Sequence, residues 1–226
     1  MTEKTLWRVP RLPKEEYTDE SREVQAFWGE PGAWENGSAT NSIQVMANHP
    51  DLCRAYNIWG KHLLMTNTVP LREREIIILR VAWRIKSEYE WHNHVGYALN
   101  YGMSLDEIAA VKDGHEGTWP WSEQDRAILK GVDELMDTND LSDETWGELT
   151  RFFDRRQMMD YLHTIGHYVM IGWAFAAMRM PMEDYVDPIG WDLKTASGKT
   201  PEKTYKPGEV KDWADKRGFD LTKGEQ

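Results

Sequence analysis

A carboxylate, an imidazole and two phenols share one short stretch of this chain. Glu90, His94, Tyr97 and Tyr101 fall at i, i+4, i+7 and i+11, which on a helix puts all four on one stripe. An i, i+4 carboxylate and imidazole can hydrogen-bond, fixing the ring's tautomer and raising its pKa, so the stripe is suited to moving protons. Upstream, Glu75 interrupts a run that is apolar on nearly every helical face. An unpaired carboxylate in such surroundings is costly and either shifts its pKa or finds a partner, which makes Glu75 a further candidate. Arg72, Arg74, Arg80 and Arg84 surround the same run. One or two of them could pair with Glu75 or take a substrate carboxylate in a bidentate fork; the plainer reading is a solvated rim. Metal chemistry is not expected. His92 and His94 stand i, i+2, so on a helix they diverge and cannot share an ion. His163 and His167 have a compatible i, i+4 spacing, but there is no H-E-x-x-H pattern and no third ligand that sequence can place.

Helices must position these groups. Glu73 to Lys86, carrying Ile76, Ile77, Ile78, Leu79, Val81, Ala82, Trp83 and Ile85, predicts a helix buried on several sides. Lys86 to Tyr89 is a hinge or tight junction, and Gly102 closes the following helix through the left-handed cap that glycine permits. Ser104 and Glu107 form a capping box for a helix over Leu105 to Lys112. Before the centre, proline at the first position and Asp51 against the dipole predict a helix from Pro50 to Met65, turning Leu52, Tyr56, Trp59, Leu63 and Leu64 inward. After it come a loop over Asp113 to Ser122, a helix opened by Ser122, another from Asp143 to Phe153 facing Trp146, Leu149, Phe152 and Phe153 inward, and a long one from Gln157 to Met178. No strand signal competes, so the fold class is all-α. Residues 1–41 read as an irregular N-terminal arm with one short helix over Thr18 to Trp28. Residues 42–182 read as the helical domain, and 183–226 as a C-terminal tail that is either disordered or wrapped around a neighbouring subunit.

At 226 residues the chain is long enough for one domain with a full core. A net charge of −11 and a pI near 5.1 disfavour nucleic acid and anionic membrane surfaces, though a local cationic pocket could still hold a small anionic substrate. The lone cysteine, Cys53, excludes an intrachain disulfide and every CxxC arrangement. No apolar run has signal-peptide or membrane-span length, so a soluble cytoplasmic protein is expected. Twelve Trp and nine Tyr suggest aromatic-lined clefts or subunit contacts beside an ordinary core.

Several of these segments together resemble the carboxymuconolactone decarboxylase family, which shares its fold with the AhpD-like alkylhydroperoxidases. They are His49-Pro50-Asp51-Leu52, Arg74-Glu75-Ile76 running into Ile78-Leu79-Arg80-Val81-Ala82-Trp83, Tyr89-Glu90-Trp91 with His94, and, downstream, Asp133-Glu134-Leu135 and Gly166-His167-Tyr168. The resemblance implies an AhpD-like helical domain, a homotrimer or homohexamer, and no metal or organic cofactor. The AhpD-like branch carries C-x-x-C-x-x-x-H behind an upstream glutamate, where this sequence has Ser87, Glu90 and His94 with Glu75 before them. Both thiols are missing, and peroxide reduction needs a thiolate and a resolving thiol. The decarboxylase branch needs only acid–base groups. The resemblance therefore implies Glu75, Glu90 and His94 as catalytic residues, with Arg74, Ser87, Trp91, Tyr97, His163 and His167 as substrate-binding ones. The expected activity is a cofactor-independent decarboxylase or double-bond isomerase acting on an unsaturated carboxylic acid or lactone from aromatic-compound catabolism. The alternative is a non-catalytic small-molecule binder or assembly protein of the same fold.

Overall fold

The structure, a computed structural model, describes residues 7–202, and the regular elements of that span are helices. In chain order they are α1 (Asp19–Ala26), α2 (Ala33–Asn36), α3 (Asn41–Met46), α4 (Pro50–Lys61), α5 (Leu71–Ile85), α6 (Glu88–Asn100), α7 (Leu105–Val111), α8 (Glu123–Thr138), α9 (Asp143–Leu149) and α10 (Arg155–Met178). Among the described residues there is no strand, only an isolated antiparallel bridge between Ile189 and Thr195. None of these helices is long and apolar enough to cross a membrane.

The apolar run around Glu75 becomes α5, and α6, α8 and α10 pack on it. Residues from Arg74 through Ala82 are all buried, as a helix apolar on every face requires. Lys86 ends α5 in the left-handed conformation, with φ of 59°, and the chain turns at once into α6. Local rules fix several other boundaries. Ser104 and Glu107 form the expected capping box on α7, and Ser122 caps α8. The long α10 begins two residues earlier than expected, because Asp154 accepts from the amides of Arg156 and Gln157 while Gln157 returns a bond to the Asp154 amide.

The inward face of α4 differs from the expected one. Leu52 and Trp59 are 51% and 38% exposed, while Cys53, Asn57 and Gly60 face the interior. The cause is polar: Asn57 accepts from Trp28 Nε1 at 3.0 Å and donates to the Val24 carbonyl at 2.8 Å, which rotates that side toward α1. Hydrophobicity alone pointed the other way. On α9, Trp146 is 44% exposed where an inward position was expected, and the helix stops at Leu149. After α4 the chain makes a π-helical turn over His62–Thr66. Asp160 of α10 staples this turn and the strap after it, bonding His62 Nε2 at 2.7 Å and the amide and hydroxyl of Thr68 at 2.7 Å each.

The described part of the N-terminal arm carries α1 and α2 and packs on α4. Residues 183–202 lie against α5 and α6: Trp191 packs on Trp83 and Trp91, and Trp91 Nε1 donates to the Gly190 carbonyl at 3.0 Å. The expectation of a disordered or wrapping tail otherwise falls on 203–226, outside the described residues.

Candidate active site

Four buried ionisable side chains form a row at the α5–α6 contact. Arg74 lies innermost and donates to Glu75 Oε1 from Nη2 at 2.8 Å and Nε at 3.1 Å. Its Nη1 donates to the Leu64 carbonyl at 2.6 Å, one of the carbonyls of the π-helical turn. Glu75 Oε2 meets His94 Nδ1 at 2.6 Å, and His94 Nε2 lies 3.7 Å from Glu90 Oε2. Burial pushes the Glu75 carboxyl up, but His94 and the Arg74 guanidinium outweigh it and hold that group below the usual range. Glu75 is then an anion, so it accepts from His94 Nδ1–H, and His94 turns its Nε2 toward Glu90.

Glu90 is 4% exposed and has the opposite character. Burial raises its carboxyl to about 7, against the pull of His94 and with a smaller push from Glu183. Its Oε1 has no hydrogen-bond partner among the described residues, and neither has Nδ1 of the buried His167. Both residues line a cavity of about 440 Å³, within the size range of small-molecule sites. Burial and the neighbouring His94 lower His167 to about 4, which leaves it neutral at pH 7.

The cavity collects parts of the chain distant in sequence. From α6 come Tyr89, Glu90, Asn93, His94 and Tyr97; from α10 come His167, Tyr168, Ile171 and Phe175; Tyr56 comes from α4, Leu64 and Met65 from the π-helical turn. Glu30 enters from the N-terminal arm and Glu183 from beyond α10. Glu183 Oε1 accepts from Tyr89 at 2.7 Å and from the Asn41 amide at 2.9 Å, tying that segment to the rim. The Tyr168 ring meets His94 edge-on at 4.8 Å, and Tyr56 stacks on His167 at 6.0 Å. Such a site holds one carboxyl poised near neutral pH, a relay partner beside it, and aromatic walls for an unsaturated ligand.

Of the residues singled out from sequence, Glu75, Glu90 and His94 come together in one connected row. Tyr97 and His167 line the cavity; Glu75 and Arg74 stand behind it. The remaining three lie elsewhere. Ser87 is buried at the N-cap of α6, beside Gly172 of α10. Trp91 is fully enclosed in the core. His163 faces outward, bonded to the Met159 carbonyl at 2.6 Å and edge-on to Trp59. The roughly 40° between i and i+4 on a helix is enough to put His167 in the cavity and His163 outside it. Among the described residues no three His, Cys, Asp or Glu side chains gather as metal ligands would. Sequence reasoning missed Glu30, Tyr56 and Glu183. Glu183 sits where apolar density falls and had no signal, while Tyr56 was read only as a core residue.

Residues 50–113 match the model of the carboxymuconolactone decarboxylase family. No curated protein matches the chain. Among solved structures, an uncharacterized peroxidase-related protein from Silicibacter sp. TM1040 is similar with a TM-score of 0.65 at 16% identity, over 81% of this chain and 96% of that one. An uncharacterized peroxidase-related protein with an alkylhydroperoxidase AhpD core, from Ralstonia eutropha JMP134, gives 0.64 at 16% identity, over 79% and 93%. The debrominase Bmp8 C82A, in complex with 2,3,4-tribromopyrrole, gives 0.59 at 16% identity, over 78% and 91%. These likenesses establish the all-helical AhpD-like fold, and within it residues 50–113 are the segment that matches the carboxymuconolactone decarboxylase family.

Proposed function

We propose that this protein is a cofactor-independent acid–base enzyme, a double-bond isomerase or decarboxylase acting on an unsaturated acid or lactone of the kind produced in aromatic-compound catabolism. The observation that carries the reading is the unpartnered Oε1 of Glu90, buried in the cavity beside His94. A general acid or base works best when its pKa lies near the working pH, and a carboxyl raised to about 7 meets that condition.

In the isomerase form, the Glu90 carboxylate removes a proton from the carbon next to the substrate carbonyl. The C–H electrons become a carbon–carbon double bond, the carbonyl oxygen takes the negative charge, and a conjugated dienolate results. Glu90, now a carboxylic acid, returns the proton at the far end of the conjugated system, so the double bond moves and no atom is gained or lost. His94 shares the proton through Nε2 while Glu75 balances its charge. In the decarboxylase form a C–C bond breaks instead, carbon dioxide leaves, and the same acid protonates the carbanion. The debrominase complex with a brominated pyrrole supports a small unsaturated ring as the kind of ligand this fold holds.

Peroxide reduction fits poorly. Cys53 is fully buried, lies on α4 outside the cavity lining, and burial pushes its thiol up to about 12, leaving almost no thiolate at neutral pH. The test is exchange: incubation of an unsaturated lactone in heavy water with the protein, followed by NMR. Deuterium should enter at the carbon next to the carbonyl and at the far end of the conjugated system, and Glu90→Gln should abolish this. Exchange that persists undiminished in Glu90→Gln would sink the assignment.

A further inference from the structure

Carboxylates dominate the charge of the cavity. Glu90 and Glu183 are 4% and 6% exposed, and Glu30 stands at the rim. No lysine or arginine is among the described residues that line it. The neighbouring guanidinium, Arg74, is 2% exposed and already committed to Glu75 and the Leu64 carbonyl. Two imidazoles remain. His167 is neutral for the reason given above, and a proton on His94 would already be matched by Glu75 at 2.6 Å. A carboxylate brought into this space would lose its water, meet like charge and find no free cation, the least favourable condition for a buried ion.

We propose that the cavity selects an uncharged unsaturated carbonyl compound, such as a lactone or enone, and discriminates against ligands bearing a free carboxylate. The observation behind it is the pairing of an acidic lining with two unpartnered polar atoms, Glu90 Oε1 and His167 Nδ1, among aromatic rings. The carbonyl of a neutral ring can accept from His167 Nδ1–H, or from Glu90 while that carboxyl is protonated, and the ring can rest its π-face on Tyr168 or Phe175, at no cost in ion desolvation. The proposal rests on the acid–base reading in taking this cavity as the substrate site. Within that reading it favours isomerisation of a neutral lactone over loss of carbon dioxide from an acid, and it replaces the anionic substrate expected from sequence.

A matched pair of probes tests it on the full chain: a γ-methyl butenolide and the same ring bearing a carboxymethyl group, titrated near pH 8 by tryptophan fluorescence. The neutral ring should bind at least about tenfold tighter, the scale of one like-charge contact in a partly buried site. In Glu90→Gln the two affinities should draw together because the carboxylated ring binds better. Equal or tighter binding of the carboxylated ring to the native protein overturns the proposal, as does a preference that does not move in Glu90→Gln, or binding of neither ring at millimolar concentration. Deuterium exchange separates this from the acid–base reading. A neutral ring that binds without exchange removes the catalysis and leaves the charge selection standing, whereas faster exchange of the carboxylated ring removes only the selection.

Discussion

At the scale of single residues, the burial of Glu90 that the proposed chemistry relies on comes at the expense of stability. Its folded pKa of about 7 lies above the unfolded value of roughly 4.3, so the stability it contributes is fully present below about pH 4 and is lost as pH rises through 7. Above that the ionised form costs on the order of 3 kcal/mol. Glu90→Gln, which never ionises, should therefore be more stable than the native protein by up to about that amount near pH 8, with the gain vanishing near pH 4. Turnover should fall at least about a hundredfold in the same variant. Urea unfolding at both pH values, beside an exchange assay, checks this; an equal effect at both would mean the carboxyl is not raised. His94→Gln gives the complementary pattern. The glutamine amide can still donate to Glu75, so stability should drop by only about 1 kcal/mol while turnover falls at least about a hundredfold. Native turnover in a destabilised His94→Gln protein would return His94 to a structural role. Glu75 is not an equivalent test. Neutralising it strands Arg74 as a buried, uncompensated charge, and Glu75→Gln should lose about 3–5 kcal/mol whatever its part in catalysis. The connected row of Glu75, His94 and Glu90 could be read from sequence because helical spacing fixes Glu90 against His94, and because a glutamate inside an apolar helix demands a partner. The cavity's acid wall could not. Glu183 reaches it across 94 residues through Tyr89, and no local pattern encodes that contact.

Helix contacts set the cavity's shape, and the crossing of α10 over the α5–α6 corner is a close one. A Cβ on Gly172 would lie 2.4 Å from Ile85 Cδ1 and 3.3 Å from Ser87 Cβ, so an added methyl would force the end of the Ile85 side chain to move. Glycine inside a helix normally costs about 1 kcal/mol relative to alanine, and intrinsic propensity alone predicts that Gly172→Ala stabilises. Overpacking points the other way by about 1–3 kcal/mol and should win, while moving Ile171 and Phe175 in the cavity wall. Gly147 on α9 is the control: nothing lies within 4 Å of its Cβ position, so Gly147→Ala should gain about 0.5–1 kcal/mol. Thermal unfolding of the two variants against the native chain decides the matter, and a stabilised Gly172→Ala would show the crossing to be loose. Elements of this kind were readable where a local rule governs them. The capping box of α7, the glycine after α6 and the all-round burial of α5 follow from adjacent residues. The rotation of α4 did not, because a single buried Asn57, bonded to Trp28 and Val24, outweighs the apolar pattern of Leu52 and Trp59.

For the molecule as a whole, the unresolved matter is the apolar surface left uncovered. On α10, Met159, Met170 and Trp173 are 61%, 54% and 62% exposed. With His163, Gly166 and Ala177 they follow the alternating four- and three-residue steps of a helix-packing seam. From Tyr161 to Met178 the helix carries no Asp, Glu, Lys or Arg at all. Leu52, Ile58 and Trp59 continue the surface on α4, joined to the seam where Trp59 meets His163. Soluble monomers seldom leave so much contiguous apolar area in water, and a chain of net charge −11 would associate through its uncharged face. We therefore expect a homo-oligomer, trimer or hexamer by the family resemblance, held by the outer sides of α4 and α10 rather than by its terminal segments. Trp173→Glu puts a charge in the middle of the seam, away from the cavity lining. It should convert the native assembly to folded monomers, with the helical circular dichroism unchanged. Added salt should leave the native assembly intact or tighten it, since it screens the repulsion between acidic copies without weakening apolar contact. Sedimentation velocity at micromolar concentration reads both effects. A native protein that sediments as a monomer, or a Trp173→Glu variant that stays assembled, would mean that something other than a second copy covers this face.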